Sequence, residues 1–393
     1  MREYSAGKLR TVLIGIDFGQ DGFAESLEEL RLLALSAGFD PIHTVQAKRN
    51  RPDPALYAGS GKVAEICSVI RESSAKLAIF NHELSPAQQR NLEKTLETRI
   101  LDRTSLILDI FGQRAKSHEG KLQVELAQLE HASTRLVRGW AHLERQRGGH
   151  GFLGGMGETQ LEVDRRLIAR RVKILKDQLI RLKQQRGMQR RSRDRAGVLS
   201  ISLVGYTNAG KSTLFNTLTH AGTFVADKLF ATLDTTSRRL YLAGAGTVVL
   251  SDTVGFIRDL PHTLVEAFRT TLEETQRADL LLHVVDYSSS RREEQIAEVN
   301  KVLAEIGVRD VPQILVWNKI DISHHGCKTE AGIERDEYGN ISRVRLSAQI
   351  GSGVEFLRQA LVEAATYKST HAFAKSKSEF NSNELKNIFY VTK

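Results

Sequence analysis

Cysteine and long apolar runs are what this chain has least of. Its 393 residues include only two cysteines, Cys67 and Cys327, which excludes a disulfide-stapled secreted fold and favours a reducing compartment. No apolar run approaches the roughly 20 residues that a membrane-spanning helix needs. The basic stretch Arg2–Arg10 precedes an apolar run that Asp17 ends too soon for a secretory signal. The sequence therefore predicts a cytoplasmic protein whose association with a membrane is at most peripheral.

Most of the chain also carries no excess of positive charge. The formal net charge is +9, yet the segment Arg165–Arg195 alone has 13 Lys or Arg against two Asp, a net charge of +11. The rest of the chain is therefore slightly acidic. This concentration predicts that one segment, rather than the whole surface, binds a polyanion such as RNA or an acidic membrane face. An apolar content of 41% over this length predicts two to three domains with buried cores.

Residues 1–117 alternate short apolar runs with amphipathic stretches. We expect strands at 10–16, 42–46, 76–80 and 99–101, and helices at 25–37, 62–71, 85–97 and 105–115. Ser85 followed by Pro86 is typical of a helix N-terminus, because serine caps free amide groups and proline fits the first turn. Strands that alternate with helices predict a small N-terminal α/β domain with a mostly parallel sheet.

Residues 118–197 contain two stretches in which apolar side chains recur every three or four residues. The first stretch is Leu122, Leu126, Leu129, Leu136, Trp140 and Leu143, with the polar Ser133 at one position of the same spacing, and the second is Ile168, Val172, Leu175, Leu179 and Leu182. Between them, Gly148–Gly157 has six glycines in ten residues, a density that cannot stay helical. The pattern predicts an antiparallel helical hairpin, a coiled coil, whose flexible tip carries Phe152, Leu153 and Met156. Because the second helix carries the positive charge, we expect it to contact RNA; the alternative is a plain hairpin with a solvated basic face.

A phosphate-loop motif, G-x-x-x-x-G-K-S, lies between a short apolar strand and an apolar helix start. Its residues are Gly205, Tyr206, Thr207, Asn208, Ala209, Gly210, Lys211 and Ser212, followed by Thr213. In such loops the main-chain N–H groups point at phosphate oxygens, and the new helix adds the positive end of its dipole. Lys211 is predicted to reach the β- and γ-phosphates, and the Ser212 hydroxyl to bind Mg²⁺.

Two further motifs are predicted to complete the phosphate and metal contacts. The loop Phe224–Thr236 contains Phe230, Ala231, Thr232, Leu233 and Asp234. Within it, Thr232 is the best candidate to bind Mg²⁺ and the γ-phosphate, with Thr235 and Thr236 as competing assignments. The run Asp252, Thr253, Val254 and Gly255 follows a strand at 248–250. Its aspartate is expected to hold Mg²⁺ through water, and its glycine N–H to contact the γ-phosphate.

The last two motifs point to the base. They are Asn318, Lys319, Ile320 and Asp321 after a strand at 313–317, and Ser347 and Ala348 after the last strand. Asp321 is placed to accept from guanine N1–H and N2–H₂, which adenine cannot offer, and a main-chain N–H of the Ser347–Ala348 pair would donate to guanine O6. All five motifs in this order, each at a strand end, predict a GTP and GDP site at the carboxyl edge of an α/β sheet. The expected reaction is attack of water on the γ-phosphate, with Lys211, Thr232 and Gly255 as the catalytic residues.

In order and wording these motifs resemble the HflX GTPases of the Obg–HflX group. The runs Asp102–Thr104, Gly120–Ala127 and Gly157–Glu162 also look like that family, so the resemblance extends to about Lys368. It implies a monomeric GTPase that binds the 50S ribosomal subunit and its RNA through the basic hairpin. It also implies a role in dissociating or rescuing stalled or idle ribosomes, especially under heat stress. The alternatives are a nucleotide-gated module that attaches this hairpin to an anionic membrane or other RNA, and an ATP-using enzyme, against which Asp321 argues.

Two residues, Phe256 and Asn208, and the domain boundaries complete these expectations. Phe256 stands where Ras-like enzymes place a water-orienting glutamine, so unaided hydrolysis is expected to be slow and stimulated by a partner. Asn208 is a candidate K⁺ ligand near the phosphates; the alternative is an asparagine that stabilises the turn. We predict four parts: the N-terminal α/β domain at 1–117, the basic helical hairpin at 118–197, a GTPase domain with a mostly parallel sheet at 198–368, and a polar tail at 369–393.

Overall fold

The computed structural model describes residues 9–19, 21–139, 160–194, 198–220, 229–258, 275–308, 311–322 and 329–368. The chain forms two compact units. The first unit comprises Met1–Lys183, Asp227–Leu233 and Asp259–Phe268, and the second unit comprises Gln184–Ala226, Asp234–Arg258 and Arg269–Lys393. The predicted domain boundaries, including that of the tail 369–393, stay predictions.

The first unit contains a four-stranded parallel sheet. Its strands are β1 (Arg10–Asp17), β2 (Asp40–Lys48), β3 (Leu77–Phe80) and β4 (Arg99–Asp102), in the order β2-β1-β3-β4. They alternate with helices α1 (Phe23–Ser36), α2 (Ser60–Ser73), α3 (Pro86–Leu96) and α4 (Arg103–Arg114). The predicted alternation of strands and helices is therefore confirmed, with each boundary within about two residues of its predicted place.

Local sequence explains these elements. Thr11 to Ile16 of β1 are all buried, as expected of a central parallel strand covered on both faces. On one face, Val12, Ile14 and Ile16 pack in a core cluster with side chains of α2 and α3. The Ser85 Oγ accepts a hydrogen bond from Gln88 N at 3.2 Å, and Gln88 Oε1 accepts one from Ser85 N at 3.0 Å. This reciprocal cap sets the start of α3, as the Ser-Pro pair predicts.

Two long helices follow in the region predicted as a hairpin, α5 (His118–Gly139) and α6 (Gln160–Asp194). Their contact is the predicted seam: Leu122, Leu126 and Leu175 are buried together, and Leu129, Val172, Leu179 and Leu182 pack around them. Ion pairs flank it, from Arg171 to Glu125 at 2.7 Å and from Lys176 to Glu130 at 2.8 Å. The side chains of 136–161, and with them the glycine-rich tip 148–157, lie outside the described residues. The antiparallel direction stays a prediction.

The second unit is built on a seven-stranded sheet in the order β10-β11-β9-β8-β5-β7-β6. The strands are β5 (Ser200–Val204), β6 (Thr236–Leu242), β7 (Gly246–Asp252), β8 (Leu280–Asp286), β9 (Gln313–Asn318), β10 (Gly332–Arg335) and β11 (Ile341–Arg345). Within the described residues, only the edge pairs β6–β7 and β10–β11 of this sheet are antiparallel, so the predicted mostly parallel α/β sheet is confirmed. Helices α7 (Lys211–Thr219), α8 (Arg292–Glu305) and α9 (354–368) belong to this unit.

This topology determines where loops meet. Strands β5, β7, β8 and β9 are parallel, so their carboxyl ends lie at one edge of the sheet. That edge receives the loops that begin after Val204, Asp252 and Asn318. Among the described residues, no helix is both long enough and apolar enough to span a bilayer.

Candidate nucleotide site

The loop after β5 has a backbone that only certain residues tolerate. Gly205 has φ +146°, and a Cβ there would lie 2.2 Å from the carbonyl oxygen of Val284. Asn208 (φ 60°) and Gly210 (φ 92°) are left-handed, a conformation that asparagine and glycine adopt most readily. These turns bring the chain back to the N-terminus of α7, which begins at Lys211. The result is the tight anion-binding loop that the glycine spacing predicts.

The Lys211 ammonium lies inside this loop. Its Nζ donates hydrogen bonds to the carbonyl oxygens of Gly205 at 3.0 Å and Tyr206 at 2.8 Å. Burial lowers the pKa of Lys211 to about 8, although the nearby carboxylate of Asp252 acts in the opposite direction. A buried cation beside main-chain N–H groups is an arrangement that binds phosphate.

Two oxygen donors meet beside the loop. The Ser212 hydroxyl, in the first turn of α7, donates to Asp252 Oδ2 at 2.6 Å, and Asp252 is the buried last residue of β7. Hydroxyl and carboxylate oxygens are the ligands that Mg²⁺ prefers, so the donor set fits this ion. Enzymes with this phosphate loop generally use Mg²⁺.

The chain after Asp252 runs directly against the phosphate loop. Phe256 N donates to Gly205 O at 3.1 Å, and Thr207 N donates to Phe256 O at 2.7 Å. This close approach requires Gly255, because a Cβ there would lie 2.9 Å from Thr207 Cα and 3.0 Å from Lys211 Nζ. The Phe256 side chain is 1% exposed, so it lies in the interior and cannot orient a water molecule.

Asn318 connects three loops of this edge. Its Nδ2 donates to Ala209 O of the phosphate loop at 2.9 Å, and its Oδ1 accepts from Ala348 N at 2.8 Å. Ser347 N donates to Ser352 O at 2.8 Å, so both amides proposed from sequence to face guanine O6 already have acceptors within the protein. Asp321, the predicted guanine acceptor, is exposed.

Sequence reasoning missed some partners of these motifs. Lys319 Nζ lies 2.6 Å from Asp286 Oδ2, an ion pair between the ends of β9 and β8. An aspartate at the end of an apolar strand was the available signal. Tyr206 OH accepts a hydrogen bond from Arg258 N at 2.8 Å, which ties the phosphate loop to the chain beyond Phe256.

The predicted threonine loop belongs partly to the first unit, which includes Phe230–Leu233, whereas Asp234 belongs to the second. Leu229 N donates to Ser36 Oγ at 3.1 Å, and the Phe230 ring meets Phe111 edge to face, 4.6 Å between centroids. No local pattern marked Ser36 or Phe111 as partners of this loop. Residues 221–228 lie outside the described part of the chain, and the metal-binding role of Thr232 stays a prediction.

Family models match three consecutive parts of the chain. Residues 24–112 match a model described as "GTP-binding GTPase N-terminal", and residues 114–193 match "GTP-binding GTPase Middle Region". Residues 200–319, which hold the phosphate loop, match "50S ribosome-binding GTPase".

Whole-chain similarity agrees with these matches. "GTPase HflX" of Escherichia coli K12 is 53% identical over 360 residues, covering 92% of this chain and 83% of the relative. "GTPase HflX" of Caldanaerobacter subterraneus is 45% identical over 370 residues, covering 94% and 83%. The crystal structure of an SsGBP and GDP complex is 25% identical with a TM-score of 0.51, covering 91% of this chain and 99% of that one. On this identity and coverage, the chain belongs to the HflX family of GTPases and hydrolyses GTP.

Proposed function

We propose that this GTPase binds the large ribosomal subunit through α6 and uses its GTP cycle to dissociate or rescue stalled or idle ribosomes, including under heat stress. The observation that carries the proposal is charge: all eight Lys and Arg between 165 and 183 are exposed, with Asp177 as the only acidic residue. A family model described as a 50S ribosome-binding GTPase matches residues 200–319, which supports the large subunit as the polyanion. The proposal places the protein in the cytoplasm as a monomer.

The packing of α6 supports this use of its surface. Its seam residues, with Leu175 fully buried, face α5 and leave the basic residues outward. Two of them are partly neutralised, because Arg171 pairs with Glu125 and Lys176 with Glu130. Surface pairs of this kind contribute little to stability, so these side chains can exchange partners for phosphates at low cost.

The nucleotide would bind across the carboxyl edge of the second sheet. We assign the β- and γ-phosphates to the phosphate loop and Lys211, and the γ-phosphate also to the Gly255 N–H. Ser212 and Thr232, with Asp252 through water, would hold Mg²⁺, which neutralises phosphate charge when bound. The 2.6 Å contact between Ser212 and Asp252 supports two of these three ligands. Asp321 would select guanine, and Ala348 N–H could reach guanine O6 by leaving Asn318 Oδ1.

Nucleotide state would then be transmitted through two loops. The segment 224–236 and the loop after Asp252 would be ordered by GTP and loosened in GDP, and this change would set the affinity of α6 for the ribosome. The buried Phe256 supplies no water-orienting group, so we expect the bound ribosomal subunit to complete the site and stimulate hydrolysis.

We also propose that Asn208, at the turn of the phosphate loop, binds K⁺ near the phosphates. This proposal predicts faster hydrolysis in K⁺ than in Na⁺, and equal rates in the two salts would refute it.

The test combines sedimentation with purified 50S subunits and GTPase rates with and without them. The variant Arg170→Gln/Lys173→Gln removes two exposed charges of α6, and Arg238→Gln/Arg239→Gln removes two exposed charges of β6 as the matched control. We expect the wild type to sediment with 50S and to be stimulated. The α6 variant should bind more weakly, with a salt slope reduced by about 1 to 2, while the control should not change. A third chain with 148–157 shortened should bind but lose stimulation.

The rival attachment is to an anionic membrane or to other RNA. Leu167, Ile174 and Ile180 of α6 are 57%, 41% and 54% exposed, an apolar component that a membrane surface could accept. The same variants are therefore assayed on vesicles of anionic phospholipid and on unstructured RNA. Firm vesicle binding without 50S binding would replace the ribosome proposal with the membrane one, and equal binding to any RNA would remove the specificity for the large subunit.

A further inference from the structure

We infer that Asp286 is a positioning residue for guanine-nucleotide binding, because it holds the ammonium group of Lys319 in the base-binding motif. The inference rests on the base site proposed above at Asp321, which lies two residues after this lysine. All the residues concerned belong to the second unit. Asp286 acts through Lys319 and would not itself touch the nucleotide.

The ends of β8 and β9 bring the two side chains together. These strands are parallel neighbours, and Asp286 pairs in register with Asn318. Tyr287 N donates to Asn318 O at 2.9 Å, which extends the pairing by one residue past β8. Lys319 Nζ donates to Asp286 Oδ2 at 2.6 Å, a short charge-assisted hydrogen bond. The pairing of the strands therefore sets how close the two charges come.

The carboxylate of Asp286 is itself oriented by the turn that follows β8. Its Oδ1 accepts hydrogen bonds from Ser288 N at 3.0 Å and from Ser288 Oγ at 2.6 Å, whereas Oδ2 accepts from the lysine. The side chains of Asp286 and Lys319 are 19% and 24% exposed, so solvent screens the ion pair only in part. Because one oxygen is fixed to the turn, the other presents its charge at a defined place.

Aromatic packing also holds this turn against β9. The Tyr287 and Trp317 rings lie 5.2 Å apart between centroids at an interplanar angle of 34°. The guanidinium carbon of Arg292 lies 5.4 Å from the Tyr287 centroid and 5.5 Å from the Trp317 centroid. Ring contacts and cation–π contacts of this kind stabilise beyond the burial of the rings. The turn after β8 is therefore fixed relative to the strand that leads into the base-binding motif.

The backbone of Lys319 is in a conformation that needs support. It has φ 65°, a left-handed conformation that is unfavourable for a residue with a Cβ and persists only where the surroundings hold it. Ile322 N donates to Lys319 O at 3.1 Å, which closes the turn that contains Asp321. The ion pair with Asp286 adds a constraint at the other end of the lysine side chain. Both ends of this side chain are therefore held.

This arrangement has a consequence for nucleotide affinity. An unrestrained lysine side chain samples many rotamers and must lose them when a base packs against its apolar stem. With the ammonium group at Asp286, part of this freedom is lost before the nucleotide arrives, which favours binding. GDP and GTP have the same base, so the gain applies equally to both. We therefore expect Asp286 to lower KM and the dissociation constant of GDP without changing kcat.

The experiment measures the dissociation constant of fluorescently labelled GDP, together with KM and kcat, in the full chain. Asp286→Asn keeps the shape of the side chain and removes its charge. It should weaken GDP binding and raise KM about threefold to fivefold while kcat stays unchanged. Asp279→Asn is the matched control, because Asp279 precedes β8 and its Oδ2 accepts from Lys368 Nζ at 2.5 Å and from Ser200 N at 2.8 Å. This pair lies at the opposite end of the same strand, so GDP affinity should equal that of the wild type.

A variant of Lys319 shows whether Asp286 acts through it. Lys319→Met keeps a long unbranched stem without the charge, and it should weaken GDP binding by a similar factor. The double variant Asp286→Asn/Lys319→Met should bind GDP as well as Lys319→Met alone. Additive losses would mean that Asp286 acts independently of the lysine and would overturn the inference. An equal loss in Asp279→Asn would assign the effect to general loss of stability and would also overturn it.

Asp321→Asn separates this inference from the base site on which it rests. If Asp321→Asn moves the preference from GDP to xanthosine diphosphate while Asp286→Asn binds GDP like the wild type, the positioning role is wrong and the base site stands. If Asp321→Asn leaves the preference for GDP unchanged, both the base site and the inference are overturned.

Discussion

Replacing Asn318 with alanine should weaken both the second unit and its nucleotide site. The change removes the donor to Ala209 O at 2.9 Å and the acceptor for Ala348 N at 2.8 Å, both buried. Each lost bond is worth about 1 kcal/mol net, and a buried partner left without a hydrogen bond adds cost. We therefore expect a loss of about 2 to 4 kcal/mol in the free energy of unfolding of the second unit.

Urea unfolding followed by circular dichroism measures this loss, and titration with fluorescently labelled GDP measures the affinity. The chain has two compact units, so the transition of the second unit should move to lower urea while that of the first stays in place. Asn340→Ala is the matched control, because this asparagine is exposed in the turn between β10 and β11. Its free energy of unfolding should change by no more than about 0.5 kcal/mol.

A substitution at Gly210 tests the hydrogen bond from Asn318 Nδ2 to Ala209 O without altering Asn318. A Cβ on Gly210 would lie 2.2 Å from Asn318 Nδ2, and Gly210 has φ 92°. Gly210→Ala should therefore displace the amide and reproduce the loss of nucleotide affinity without changing Asn318 itself. Wild-type urea midpoint and wild-type GDP affinity in Asn318→Ala would refute the reasoning and show that main-chain contacts alone hold the three loops.

Three further outcomes follow from buried groups. GTP affinity, measured calorimetrically, should fall about fourfold from pH 7 to 8.5, because Lys211 with a pKa of about 8 must stay protonated to bind phosphate; a flat profile would contradict this. Burial lowers the pKa of His283 to about 4. The unfolded chain therefore binds this proton at a higher pH than the folded chain, so the free energy of unfolding of the second unit should drop by about 3 kcal/mol as pH falls from 6.5 to 4. In urea titrations, His283→Gln should lose this dependence of stability on pH. Phe256→Gln should lower the free energy of unfolding by about 2 kcal/mol in urea titrations, because it buries an amide. It should leave the unaided GTPase rate unchanged, because the buried amide cannot reach a water, and faster turnover would refute this.

Regular structure and the phosphate loop could be predicted from local sequence. Strand β1 is apolar at every position from Val12 to Ile16 except Gly15, a run that parallel sheets require, so the α/β class followed from pattern alone. The seam that buries Leu175 follows from a spacing of three and four, which places its members on one side of a helix. Gly205 was recognisable because few residues other than glycine adopt its backbone angles.

Contacts between distant parts of the chain were decided only by the tertiary structure. Asn318 was recognised as part of a motif, but its bonds to Ala209 and Ala348 depend on which strands are neighbours in the sheet. Phe111 reads in the sequence as an ordinary core residue, and its contact with Phe230 spans more than 100 positions. A periodic pattern states which side of an element is buried but not which segment buries it. That partner is selected by the path of the whole chain, through packing and hydrogen bonds that form only when the distant segments meet.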